Sequence, residues 1–179
     1  LVLDPAGRGK MLREFMLSDG CDCHVRAKNH RARRCRSLID GEDASKALAD
    51  VLATKPISRA RFTSISGVLS FAARALETAP FEAPRRVIDV SGDGPNNQGQ
   101  PVLTARQEVL DKGIVINGLP IMLKFGGANS YFDIPNLDDY YADCVIGGPG
   151  AFSLPVKEAG QLAELVAELA ELVAAELAG

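Results

Sequence analysis

Residues 87–97 read VIDVSGDGPNN, and this stretch decides the fold. The first five residues have the composition of a buried strand, which the following Gly and Pro residues cannot continue. The order predicts a strand that ends in a tight turn carrying Asp93, Asn96 and Asn97, with Ser91 helping to shape the loop. In open α/β sheets, ligands bind at the carboxyl ends of the strands. Carboxylate and amide oxygens grouped there suit a hard cation such as Mg²⁺ or Ca²⁺, although the same residue types also serve as simple turn formers.

The composition limits the class of protein. The chain has 179 residues, 46% of them hydrophobic, with a net charge of −3, so it fits one folded domain and is neither disordered nor strongly basic. It contains no Trp and few aromatic residues, which disfavours a base-stacking surface for nucleic acid. We expect no membrane span, because no apolar run reaches the ~18 residues that one needs. No signal peptide is recognisable in the first residues.

Charge is distributed unevenly along the chain. Residues 1–37 carry nine Lys/Arg and four acidic residues, a net charge of +5, whereas the remainder carries −8. We therefore divide the chain into an atypical basic segment, 1–37, expected to be poorly ordered, and a folded domain, 38–179. The basic segment leaves two alternatives open: phosphate contact by the Arg run, which lacks interleaved aromatic residues, and a zinc site. The candidate zinc ligands, in a spacing that matches no standard motif, are Cys21, Cys23, His24, His30 and Cys35.

Hydrophobic periodicity predicts alternating helices and strands after residue 38. The spacing of apolar residues predicts helices at residues 42–55, 101–112, 137–143 and 157–177. It predicts a further helix that is capped by Thr63 or Ser64 and ends near Pro80. Strand patterns cover residues 87–91, 114–119 and 151–156, the last at an edge because it contains Pro155. Such alternation is typical of an α/β fold with a mainly parallel sheet. The apolar first strand of a doubly wound sheet is missing from residues 4–37.

Five segments carry a family resemblance: LIDG at 38–41, TSISG at 63–67, RRVIDVSGDGPNN at 85–97, INGLPI at 116–121 and YYADCVIGGPGAF at 140–152. From Ser37 onward the sequence resembles a bacterial family, domain-of-unknown-function family 1194, with a von Willebrand factor type A-like fold. The resemblance implies a Rossmann-like three-layer sandwich with helices on both faces of the sheet. It also implies a metal-ion-dependent adhesion site, in which Thr63 and Asp93 bind Mg²⁺, Mn²⁺ or Ca²⁺. Such a site recognises a carboxylate on a protein partner and catalyses no reaction.

One part of the implied site is absent from this sequence. The family fold places an Asp-x-Ser-x-Ser loop after its first strand, and the only remnant here begins at Asp4, with Ala6 and Arg8 at the hydroxyl positions. This predicts a weakened or lost cation site. We interpret residues 5–36 as foreign to the family sequence, as a shifted reading frame would produce. A metal-dependent hydrolase that uses Asp93 is the alternative function, and export to the periplasm or medium is implied by the resemblance alone.

Overall fold

The computed structural model describes residues 2–3, 11–16, 34–39, 62–78, 85–123 and 134–158. Its strands are β1 (Val2–Leu3), β2 (Met11–Met16), β3 (Arg34–Ile39), β4 (Arg86–Gly92) and β5 (Ile114–Pro120). Its helices are α1 (Ile65–Glu77), α2 (Val102–Leu110) and α3 (Leu137–Tyr140), and α3 runs directly into a π-helical turn, Tyr141–Val145. The predicted helix at 42–55 and the side chains of the basic segment lie outside the described residues. Of the helix predicted at 157–177, the described residues 157 and 158 are not helical, and the rest lies outside the described residues.

Helix α1 follows its sequence signals closely. The Ser64 hydroxyl accepts a hydrogen bond from the Gly67 backbone N–H at 3.2 Å, so Ser64 caps the helix as predicted. The residues at helical spacing that face the sheet are buried; they include Ile65, Leu69, Ala73 and Leu76. At the other end the Thr78 hydroxyl donates to the Arg74 carbonyl at 3.0 Å, which satisfies one of the final carbonyl groups of the helix.

The unit β4–α2–β5 forms the centre of the fold. β4 and β5 are parallel, with Val87 beside Val115 and Ser91 beside Leu119, and α2 makes the crossover between them. Gly113 ends the crossover with a φ of +69°, a conformation in which a glycine avoids the strain of a Cβ. All seven residues of β5 are buried, as expected for a central strand of an α/β sheet.

The predicted edge strand at 151–156 runs along β5 on the side away from β4. Parallel bridges pair Gly118 with Ser153 and Ile121 with Val156. The Val156 N–H donates to the Pro120 carbonyl at 2.9 Å, and the Val156 carbonyl accepts from the Met122 N–H at 2.7 Å. This segment therefore extends the parallel part of the sheet by isolated bridges rather than by a continuous strand.

The sheet differs from the expected one on its other side. The strand order is β3-β2-β1-β4-β5, and β4–β5 is the one parallel pairing among these five strands. The prediction of a mainly parallel sheet is therefore corrected for the described residues, and the segment 1–37, expected to be poorly ordered, contains β1, β2 and most of β3. The antiparallel pairing of β1 with β2 has a simple cause, because residues 4–10 are shorter than the dozen or so residues that a parallel crossover needs.

One face of β4 and β5 carries the main core. Ile88, Val90, Ile114 and Ile116 pack there against α1, α2 and the π-helical turn. The opposite face also holds buried residues, among them Asn117. The described residues thus establish an α/β arrangement with one helical layer, and the predicted second layer involves helices outside the described ranges.

Candidate functional site

The turn after β4 places Asp93 at the carboxyl-terminal edge of the parallel strands. β4 ends at Gly92, and residues 93–101 connect it to α2. Asp93 is exposed, whereas its neighbour Gly94 is buried. Ser91 is exposed on the strand, on the face opposite to the one that Ile88 and Val90 present to the core. Asp93 therefore lies where ligands bind in open α/β sheets.

Thr63 lies beside this turn, although 30 residues separate it from Asp93 in the sequence. A Cβ added to Gly94 would lie 3.6 Å from Thr63 Oγ1, so the threonine hydroxyl is next to the residue that follows Asp93. The backbones are joined as well, because the N–H groups of Asn97 and Gln98 donate to the Thr63 carbonyl at 2.9 and 3.2 Å. The structure thus brings the Thr63 hydroxyl to the turn that carries Asp93. Asp4, the weak third candidate, lies outside the described residues.

Asn96 and Asn97 use their amide oxygens to hold the start of α1. Asn97 Oδ1 accepts the Thr63 N–H at 2.8 Å, and Asn96 Oδ1 accepts the Ser66 N–H at 2.9 Å. Both donors belong to the first turn of the helix or just precede it, where backbone N–H groups have no partner within the helix. The two asparagines therefore act as caps for α1 that are supplied from a distant loop.

Two tyrosines that the sequence reasoning did not assign to the site also reach the turn. The Tyr140 hydroxyl accepts the Asn96 N–H at 3.1 Å. Tyr141 is fully buried, and its hydroxyl lies so near Gly92 that a Cβ there would approach it to 2.7 Å. The π-helical turn that begins at Tyr141 is a rare local structure, frequent at functional sites. The sequence feature that could have indicated them is that they are adjacent, because the chain contains only three tyrosines.

The tyrosine hydroxyls have raised pKa values. Burial raises the pKa of Tyr141 well above the ordinary value of 10.0, and Tyr140 and the Asp93 charge raise it further. Burial also raises the pKa of Tyr140, partly offset by the hydrogen bond from Asn96. The Tyr141 hydroxyl is buried and has no hydrogen-bond partner within the described structure. Such a group is costly unless something binds it.

Other acidic groups near the strands are engaged elsewhere. Asp89 accepts a hydrogen bond from Asn117 Nδ2 at 3.0 Å, and Asn117 Oδ1 accepts the Phe152 N–H at 3.3 Å. Asp138 pairs with Lys157 at 3.0 Å, and this hydrogen bond lowers the pKa of Asp138. Within the described ranges, no three side chains of His, Cys, Asp or Glu gather as a metal-binding group. A cation at this edge would thus depend on Thr63 and Asp93.

Comparison with known proteins identifies the family of this chain. In the described part of the chain, no helix is long and apolar enough to cross a membrane. No curated protein matches the sequence at a significant level. The model of one family, proteins of unknown function (DUF1194), matches residues 28–175. The match begins before Ser37, so it includes the last ten residues of the segment 1–37. Because it covers most of the 179 residues, the chain belongs to the DUF1194 family.

Proposed function

We propose that this protein is a non-enzymatic module that binds a protein partner through a cation held by Thr63 and Asp93. The observation that carries the proposal is the position of the Thr63 hydroxyl beside the Asp93–Gly94 turn, at the carboxyl-terminal edge of β4. A helix-start threonine and a strand-end aspartate are the second and third elements of an adhesion site in a von Willebrand factor type A-like domain. We propose that fold for the whole domain.

The residues fit a hard cation in type but are few in number. Mg²⁺, Mn²⁺ and Ca²⁺ prefer oxygen ligands and take about six or more of them. Thr63 and Asp93 supply a hydroxyl and a carboxylate, so water and a carboxylate of the partner would complete the set. When bound, the cation supplies the positive charge that attracts that carboxylate. The residues of this chain would determine where the cation lies, because Asp93 is exposed on a turn whose backbone is hydrogen-bonded to Thr63.

The hydrolase alternative has less support. Metal-dependent hydrolysis needs a second titratable group close to the metal ligand to move a proton. Asp89 is the sequence neighbour that could serve, but its carboxylate is hydrogen-bonded to Asn117, and β4 alternates so that Asp89 lies on the face opposite to the main core. The carboxylate available at the turn is then Asp93, a ligand rather than a base.

Titration with Mn²⁺ tests the proposal. We expect the wild-type protein to bind Mn²⁺ weakly, with a Kd of about 1 mM, by calorimetry or electron paramagnetic resonance. Asp93→Ala should abolish this binding because it removes the one charged ligand. Asp111→Ala is a matched control, since Asp111 is an exposed aspartate at the far end of α2. Equal responses of the wild-type and Asp93→Ala proteins would rule out a cation at Asp93.

A further inference from the structure

Tyr141 occupies a slot between two glycines on neighbouring strands. A Cβ added to Gly118 would lie 2.7 Å from Tyr141 Cδ1, and a Cβ added to Gly92 would lie 2.7 Å from its hydroxyl. Both distances are shorter than any normal carbon contact, so the ring rests directly on the backbone of β4 and β5. The register pairs Val90 with Gly118, which brings the two glycines along the same side of the ring. The strands thus fix the direction in which the hydroxyl points.

The slot delivers a hydrogen-bond donor to the turn that carries Asp93. The Tyr141 hydroxyl ends at Gly92, the residue immediately before Asp93, and it is buried without a partner in the described structure. Asp93 is also the carboxylate whose charge contributes to the raised pKa of Tyr141, so the two groups lie within electrostatic reach. Buried hydroxyls are seldom left unpaired, and those that seem so usually bind an ordered water or a functional group.

We propose that Tyr141 is the positioning residue of the cation site, donating a hydrogen bond to Asp93 through one water, or directly once the exposed Asp93 side chain rotates toward it. The role of this bond in cation binding rests on the proposed function, whereas the bond itself does not. It restricts the carboxylate to one orientation. Tyr140 complements it by holding the Asn96 N–H at the other end of the turn. The adjacent tyrosines therefore hold the turn at Gly92 and at Asn96.

A double-mutant cycle in metal-free buffer tests the bond. The variants are Tyr141→Phe, which keeps the ring in its slot, Asp93→Ala, and the two combined. If the hydroxyl binds Asp93, the effect of the double mutant on the unfolding equilibrium constant should differ about tenfold from the product of the two single effects. Ser153→Ala is the matched control, because the Ser153 hydroxyl is also buried and unpartnered in the described structure. When Ser153→Ala is combined with Asp93→Ala, the effect on the unfolding equilibrium constant should equal the product of the single effects to within about twofold.

Two further readouts separate positioning from packing. The hydroxyl proton of Tyr141 should give a nuclear magnetic resonance signal that moves upfield in Asp93→Ala, because a charge-assisted hydrogen bond is lost. Tyr141→Phe should also weaken Mn²⁺ binding by about tenfold or more, as expected for a group that orients a ligand, while Ser153→Ala leaves it unchanged.

The outcomes distinguish this inference from the proposed function. An additive cycle with an unmoved hydroxyl signal would overturn the role of Tyr141, even in a protein that binds Mn²⁺ through Asp93. A coupled cycle in a protein that binds no Mn²⁺ would support the Tyr141–Asp93 bond and overturn the cation site. Coupling together with weakened Mn²⁺ binding in Tyr141→Phe supports both.

Discussion

Gly118→Ala should destabilise the protein by forcing Tyr141 out of its slot. The added Cβ would lie 2.7 Å from Tyr141 Cδ1 and 2.9 Å from Ile146 Cγ2. Carbon atoms pack at about 3.5–4.0 Å, so the ring must retreat by roughly 1 Å. Tyr141 is fully buried and has no open side toward which to move. Overpacking of this kind costs about 1–3 kcal/mol.

A smaller effect acts in the opposite direction. Alanine reduces the conformational entropy of the unfolded chain, which stabilises the folded state by about 0.4–1 kcal/mol where the backbone tolerates it. Gly118 does not have a positive φ, so this gain applies at Gly118. The net loss should be about 1–2 kcal/mol, because the steric cost is the larger effect. For a urea m-value of about 2 kcal/mol/M, the midpoint of unfolding should fall by about 0.5–1 M.

Urea denaturation followed by far-UV circular dichroism measures this loss, since the chain has no Trp for fluorescence. Gly94→Ala is the matched control: Gly94 is also buried and has no positive φ, but a Cβ there would meet Thr63 Oγ1 at an ordinary 3.6 Å. We expect that variant to be as stable as the wild type or slightly more stable. Equal midpoints for the two alanine variants would refute the packing of Tyr141 on Gly118.

Three other predictions concern the Asp93 turn, the start of α3 and the Tyr141 hydroxyl. Asn97→Ala should cost about 1 kcal/mol and speed hydrogen exchange at the Thr63 amide, because that N–H loses its acceptor. Asn136→Ala, at a helix N-cap without a capping hydrogen bond, should change stability by less than about 0.5 kcal/mol. Stability should also decline as the pH rises above 10, since the raised pKa of Tyr141 keeps the folded hydroxyl protonated while the unfolded one ionises near 10.0. Denaturation between pH 8 and 11 should show a shallower decline in Tyr141→Phe than in the wild type, and parallel declines would contradict the assignment.

Local signals explain why the centre of the fold could be predicted. The stripe of α1, its Ser64 cap and the glycine after α2 are each encoded within a few residues. The same holds for Asp93 and Thr63, because a strand end and a helix start define their positions without knowledge of the partner element. The structure places the Thr63 hydroxyl next to Gly94, the residue after Asp93, because consecutive parallel strands and helices present these ends at one edge.

The contacts that fix the turn could not be predicted, because they join distant segments. Asn97 caps a backbone N–H that lies 34 residues earlier in the chain, so its own neighbourhood indicates only a turn. The slot for Tyr141 depends on the register of β4 and β5. It pairs Gly118 with Val90, so that Gly92 lies two residues further along on the same face. Strands β1, β2 and β3 were not predicted for a different reason. Residues 1–37 are rich in charge and lack an apolar strand pattern, and a short link favours antiparallel pairing only between β1 and β2.

In the proposed cation site, the absence of an Asp-x-Ser-x-Ser loop and the well-held turn would have different consequences for cation affinity. Removing ligands lowers the affinity for the cation because fewer oxygen atoms contact it. Rigidity in the remaining groups cannot replace those contacts. Holding the remaining ligands in place lowers the entropy lost on binding. Here the turn is fixed to α1 through Asn97 and Thr63, and to the π-helical turn through Tyr140 and Asn96. Asp93→Ala therefore tests whether the carboxylate is a ligand, whereas Tyr141→Phe tests whether its fixed orientation contributes to binding. A site in which Asp93→Ala abolishes Mn²⁺ binding and Tyr141→Phe leaves it unchanged would be limited by ligand number alone.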